Sequence, residues 1–562
     1  AGRRAGAKAV LLPVIRRLGQ TYAVELRAVD PEKEVSLFSV SERATTKEAI
    51  FELITRLGDQ ARHELREDEQ AIGADRVQVG QAFSNNLESY RHYVLSEQAL
   101  EDHDFARSHA EARAALAADP RSALAHAWLA FLAVFEIAGG EDAKAHMKAA
   151  KAAVADLPAK ERRFAEALDL VIQEDSGATD ALRRLAEDYP QEKLYWWMAG
   201  NWEPDPAGSK ALTMKALALD PSYVWPLYSM MVGGIDPASW VPLARRAVEL
   251  RPGFKTSFNL GLALGHTGHF EEALSTARQA QAMAKPARAE VDSLVAAALV
   301  ALDRLPEGAA QLEPWLVPGT DDANRHMALV QLIRIEALQG RRRAVLRSLA
   351  EDQRIRLAPG MQGWEWLYAG MAGDEEAARR GLRAMKDPPP GLAPHFFEHG
   401  LVEEGKGLLS GLKIQQAMEQ SPAAAPMRDQ ARALTDWSEG RAVAAAPIFE
   451  KSLEDLGQRN THQAYLLGRM LADAGRCDAA VVEFDRVASL FPWAWTQLPA
   501  WGVRMPLSLL EGARCQVKLG RPDEARARLD RLLLIWKDAD SDLPALAEAK
   551  AMRERLGQSP AR

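Results

Sequence analysis

The 562-residue chain is short of cysteine, of aromatics and of long apolar runs, and each shortage removes a class of protein. Its two cysteines, Cys477 and Cys515, are too few for a zinc cluster and make no disulfide-rich pattern, so they fix no redox compartment. No stretch approaches the ~18 uninterrupted apolar residues that cross a bilayer as a helix. Aromatics are only 7% while alanine is abundant, a balance that suits close-packed helices better than a β-sandwich. An excess of positive charge is missing too. Against 78 acidic residues stand 70 basic ones, a net charge of −8, so no global basic field recruits nucleic acid. The triple Arg341–Arg343 reads as a solvated turn, with phosphate binding as its functional alternative.

Catalytic signatures are also scarce. The sequence has no Walker-type phosphate loop, no G-x-S-x-G elbow, no kinase H-R-D or D-F-G and no Cys-x-x-Cys. Adjacent carboxylates such as Glu271-Glu272 and Glu403-Glu404 point apart on a helix and belong to solvated faces. One literal motif remains: His395-Phe396-Phe397-Glu398-His399 is an H-x-x-E-H. In inverted zinc peptidases that pattern supplies two metal ligands at i,i+4 and a general-base Glu. Here it follows Pro394 and ends at Gly400, leaving barely two turns of helix. A third ligand must come from elsewhere, Glu403 and Glu404 being near in sequence. The plain alternative is a set of polar positions on a degenerate repeat. No cofactor is expected on the first reading of the chain, and zinc only on this alternative.

What the sequence has is periodicity. Residues 8–40 alternate as strands, with Gly19-Gln20 and Pro31-Glu32-Lys33 as turns, and predict three antiparallel strands. A helix then opens near Thr45, with a capping-box-like Thr45…Glu48, and runs to about Glu67. Residues 68–84 read as a polar linker. From Asn86 onward the pattern is helical, and Pro158, Pro190, Pro221 and Pro252 follow one another at intervals of 32, 31 and 31 residues. The clearest unit is Thr461–Pro492. Leu467-Gly468, Leu471, Ala480, Phe484 and Pro492 fall at tetratricopeptide-repeat spacing: an i,i+4 apolar pair on each helix, a glycine where the helices approach, and Gly475 at the turn. Similar turns recur at Gly268, Gly340, Gly373, Gly400, Gly440 and Gly520. The expected fold is mainly α: a superhelix of about twelve to fourteen tetratricopeptide-like hairpins behind a small α/β module of three strands and a helix.

The expected divisions are 1–75 for the small module, incomplete on its N-terminal side, 76–290 for a first array, 291–425 for degenerate repeats, and 426–562 for a C-terminal array with its cap. Pro388-Pro389-Pro390 interrupts the degenerate stretch, where a bend is expected. The start, lacking a methionine and a signal peptide's apolar region, reads as the cut edge of something longer.

In the repeat register Trp196 takes the first-helix core position, whereas Trp197, Trp225, Tyr228 and, later, Tyr465 take positions that commonly line the inner groove. Exposed Trp and Tyr are frequent anchors for partners, and core packing is the competing reading. Trp493, Trp495 and Trp501 form an aromatic insertion, either a plug on the last unit or a contact surface.

Residues 520–556, with Leu534-Ile535-Trp536-Lys537-Asp538-Ala539-Asp540-Ser541-Asp542-Leu543-Pro544 and then Glu548-Ala549-Lys550, resemble the closing segment of repeat regions on multidomain bacterial serine/threonine protein kinases. Winged-helix and cyclase-headed regulators carry a similar region. The opening strands, with Tyr22–Ala28, Asp30-Pro31 and Phe38, are similar to the module that precedes those repeats. The resemblance implies a non-catalytic sensory or scaffolding region that binds a protein or peptide and regulates an upstream signalling domain, most often such a kinase. It also implies a periplasmic sensor on a membrane-anchored protein, with a cytoplasmic placement fitting the winged-helix relatives. A structural spacer is the third reading, and a homo-oligomer is compatible with all of them.

Overall fold

The computed structural model describes residues 9–19, 21–46, 49–67, 86–102, 104–134, 142–232, 236–355, 375–385, 392–409, 425–455, 461–489 and 500–558. It is mainly helical, with tetratricopeptide-like hairpins behind a three-stranded antiparallel sheet.

The strands β1 (Val10–Leu18), β2 (Thr21–Asp30) and β3 (Val35–Ala44) pair in chain order, as the alternation requires. Leu26 sits opposite both Pro13 and Val40. Pro13, which has no N–H to give a ladder, is accommodated because β1 is an edge strand. Helix α1 (Ala49–Glu64) lies across β2 and β3, packing Leu53 and Leu57 on Val24 and Ala44. Its first turn is capped by Thr46, whose Oγ1 accepts from the Ala49 N–H at 3.2 Å. That is one residue later than the Thr45 cap the sequence pattern suggests.

The chain divides into two compact units, one of Ala1–Met230 with Arg245–Lys255, the other of Met231–Ala244 with Thr256–Arg562. In the first, antiparallel pairs form between Leu87–Glu101 and Phe105–Ala118, Ala123–Val134 and Ala143–Ala152, Ala159–Ile172 and Ala178–Asp188, and Lys193–Trp202 and Pro206–Leu219. Several start on short polar caps. The Asn86 side chain accepts from the Glu88 and Ser89 N–H groups, and Asp104, Asp142 and Asp205 act alike.

In the second unit the hairpin Thr461–Asp473/Cys477–Ser489 shows why its sequence is spaced as it is. Leu467, Leu471, Ala480 and Phe484 are buried together. A Cβ on Gly468 would lie 2.6 Å from the Phe484 ring, so only glycine permits this helix approach. Gly475 ends the first helix at φ +79°, in the left-handed region. Gly268, Gly340, Gly400, Gly440 and Gly520 repeat that conformation, whereas Gly373 and Pro388-Pro389-Pro390 lie outside the described residues.

The second unit also folds back on itself. Helix Asp322–Leu338 packs against Ala500–Lys518, and the resembling motif at Trp536–Leu543 docks on the turn after Leu338. Trp536 Nε1 donates to the Leu338 carbonyl at 3.1 Å, and the Asp540 N–H donates to the Gly340 carbonyl at 3.1 Å. Arg343 donates from its backbone N–H to Asp540 and pairs with Asp542 at 3.1 Å. In the arginine triple Arg343 stays exposed, as a solvated turn requires, and also contacts the acidic C-terminal segment.

Candidate functional site

The first helices of unit one bring their large rings into one continuous ladder. Tyr93 meets Trp128 edge-on at 5.5 Å, Trp128 stacks on Phe131 at 4.8 Å, and Phe131 meets both Phe164 and Trp197. Phe164 stacks on Tyr195 at 5.9 Å, and Trp197 leans on Trp225 at 5.4 Å. Aromatic pairs at these separations add roughly 0.5–1.5 kcal/mol beyond their area burial.

The ladder decides where the sequence-predicted anchors stand. Trp196, Trp197 and Trp225 are all buried. Trp196 donates from Nε1 to the Pro190 carbonyl at 2.9 Å, and Trp197 from Nε1 to Ser229 Oγ at 2.8 Å. The inner-face rings of successive repeats pack on each other, so Trp197 and Trp225 present no exposed ring. Tyr228 is half-buried. In unit two Tyr465 is also buried, beneath the Arg504 guanidinium at 4.6 Å and against Phe484. Trp495 and Trp493 lie outside the described residues.

Polar groups form a rim beside the ladder. Tyr93 donates to Glu97 Oε1 at 2.7 Å. Lys160 pairs with Glu192 at 2.8 Å, and Lys193 with Glu101 and Asp220, both at 2.8 Å. Glu161, itself buried, has the Lys160 ammonium no nearer than 3.8 Å. Five carboxylates thus share two lysines, and both lysines are committed to others than Glu97. Burial pushes the Glu97 carboxyl up to about 7, against the Tyr93 hydrogen bond, and burial likewise raises Glu161. Nothing in the local sequence marks Glu97. The rim is assembled from four repeat positions up to 123 residues apart (Asp220 minus Glu97).

The H-x-x-E-H segment lands differently from the sequence pattern. The helix ends at Glu398, so His399 is a cap whose carbonyl accepts from Arg379 Nε at 2.7 Å. Among the described residues, the donors lying within 4.8 Å of one another belong to His395, Glu398 and His462, not His399. Glu403 pairs with Lys406, and Glu404 with Arg383.

These three do not fit a metal as they stand. The His395 and His462 rings are stacked, centroids 3.8 Å apart and planes 20° apart. A zinc ion lies in the plane of each imidazole it binds, at about 2.0–2.1 Å, and two face-to-face rings share no such point. Glu398 is meanwhile taken by Arg504, which hydrogen-bonds it, and by Arg469 at 3.8 Å. Burial pushes the Glu398 carboxyl up, but Arg504 and the neighbouring imidazoles outweigh this and hold it well below the usual carboxylate range.

Two other features are self-contained. A cavity of about 250 Å³ in unit two is lined by Phe270, Met505, Asp303, Asp485 and Arg531, but Arg531 pairs with Asp303 at 3.2 Å and Asp485 with Arg528 at 2.7 Å. Cys477 and Cys515 are free, buried thiols, and burial followed by the Cys477 neighbour pushes the Cys515 thiol up to about 12. Such a thiol is unreactive at neutral pH.

No protein-family model matches the chain, and no curated protein does. Among solved structures, a tetratricopeptide repeat protein from Parabacteroides merdae is 11% identical, covering 59% of this chain and 96% of its own, with a TM-score of 0.19. The APC/C hetero-tetramer Cut9-Hcn1 is 11% identical, covering 83% of this chain and 96% of its own, with a TM-score of 0.30. The chain is similar to these, and no site passes from them to it.

Proposed function

We propose that this chain is a non-catalytic scaffold that binds a protein or peptide partner on the first-helix rim of unit one, beside the aromatic ladder. The observation that carries this is Glu97. Among the described residues it is a half-buried carboxylate hydrogen-bonded to the Tyr93 hydroxyl, with both nearby lysines paired to other acids, a group whose charge an incoming cation would satisfy. The expected partner segment therefore carries a lysine or arginine, and complementarity of charge supplies its orientation and much of its on-rate. Within this reading, partner capture would condition a signalling domain of the same polypeptide, as the resemblance of residues 520–556 implies.

The test uses the full chain and two labelled probes, a short oligolysine and a short oligoglutamate, followed by fluorescence anisotropy. The oligolysine should bind more tightly and lose affinity as salt is raised past the Debye range of about 10 Å at 0.1 M. Equal binding of both probes, or of neither, would sink the proposal.

A further inference from the structure

The stacked histidines of unit two have no role in partner capture, yet their arrangement is costly to charge. His395 comes from the Ala393–Glu398 helix and His462 from the first turn of Thr461–Asp473, so the stacked rings join a degenerate repeat to the best-kept one. Both ring nitrogens of His462 are shielded from solvent, and among the described residues neither has a hydrogen-bond partner. An imidazolium has two donors to satisfy. Here it would also face a second ring at 3.8 Å.

We propose that the stacked His395–His462 pair is an acid-sensitive latch, in which uptake of a proton parts the Ala393–Glu398 helix from the Thr461–Asp473 helix while neighbouring hairpins stay folded.

The charged groups around the pair favour this outcome over simple acceptance of the proton. From the Ala393–Glu398 helix and its cap come Glu398 and His399, from Thr461–Asp473 come Tyr465 and Arg469, and from Ala500–Lys518 comes Arg504. The packed Ala425–Ser438 helix adds Arg428, Asp429, Arg432 and Asp436, of which Asp436 is engaged by Arg441. Val402–Leu409 adds Glu403, Glu404 and Lys406, the acids paired with Lys406 and Arg383. Among the described residues Glu398 is the one carboxylate against the rings, and two guanidiniums already draw on it. Burial accordingly holds both imidazoles below the ordinary histidine value, His462 well below. The pair is neutral at pH 7, and its contribution is lost as pH falls below the unfolded value of about 6.5.

Hydrogen exchange read by mass spectrometry, at about pH 7.5 and about pH 5 and corrected for intrinsic rates, tests the latch. In the full chain, residues 393–409 and 461–467 should lose protection at acid pH by about tenfold more than Ala289–Ala301 of the same unit. His462→Phe, which keeps a flat ring without a titrating nitrogen, should abolish the difference, and His395→Phe should do the same. A uniform loss across the unit in the unaltered protein would overturn the proposal without recourse to either variant. So would an acid response that persists in a folded Phe variant.

Discussion

The ring of Phe484 occupies the space a Cβ on Gly468 would need, with Cε1 2.6 Å from that position. Gly468→Ala should therefore cost about 1–3 kcal/mol by overpacking, and Phe484→Ala about 3–5 kcal/mol by leaving a cavity. Combined with the smaller Phe484→Leu, Gly468→Ala should cost less than the sum of the two singles, because the shorter side chain relieves the clash. Urea unfolding monitored by circular dichroism measures this coupling. Strict additivity would mean that the contact is not the one that matters.

Gly340 and Gly475 share a left-handed backbone, at φ +69° and +79°, but differ in surroundings. A Cβ on Gly475 meets nothing, whereas one on Gly340 meets Leu543 at 2.8 Å and Ala539 at 2.9 Å. Asparagine tolerates this backbone, so Gly475→Asn should be nearly neutral. Gly340→Asn should cost more, about 1–3 kcal/mol, and should selectively expose the C-terminal helices to limited proteolysis. Equal effects would contradict the docking of Trp536–Leu543 on this turn.

Two half-buried groups give stability opposite dependences on pH. Burial pushes His266 down to about 4, so its contribution is full above about 6.5 and is lost as pH falls through 4. Glu97, raised to about 7, contributes fully below its unfolded value of about 4.5 and loses that contribution as pH rises through 7. Each difference corresponds to roughly 3–3.5 kcal/mol before solvent screening of these half-buried groups lowers it. His266→Phe should flatten the acid limb of the thermal-stability profile, and Glu97→Gln the limb between about pH 4.5 and 7. Profiles unchanged by these substitutions would show that neither group is buried as described.

Because the stacked imidazoles cannot share one ion, protein purified with zinc present should retain well under one equivalent after dialysis. His395→Ala should leave that residual content unchanged. One tightly held zinc per chain, lost in the variant, would instead support a zinc-dependent hydrolase built on the H-x-x-E-H segment of His395, Glu398 and His399.

The hairpins were legible because their spacing is local. Gly468, Phe484 and Gly475 act within one unit, and the strand alternation of β1–β3 is read over a few residues. Repeat spacing assigns Trp197, Trp225, Tyr228 and Tyr465 to first helices, but the exposure of a ring is not readable from it. Burial of Trp197 depends on Phe131, 66 residues away (197 minus 131), and on Trp225. His462 likewise carries no local mark. Only the fold brings it to His395, and only the fold turns His399 into a helix cap. The Trp536 segment carries no local sign of its physical role, to seat on Gly340 some 200 residues earlier, which is tertiary.

If the rim beside the ladder takes a cationic partner, Glu97→Gln combined with Glu161→Gln should weaken its capture. Glutamine keeps the shape of both side chains and an acceptor for the Tyr93 hydroxyl while removing the charge. Oligolysine affinity at low salt should fall by about tenfold. The charge-matched control Glu376→Gln with Glu403→Gln, on exposed positions of unit two, should leave it unchanged. An equal loss in both proteins, or no loss in the first, would contradict the claim.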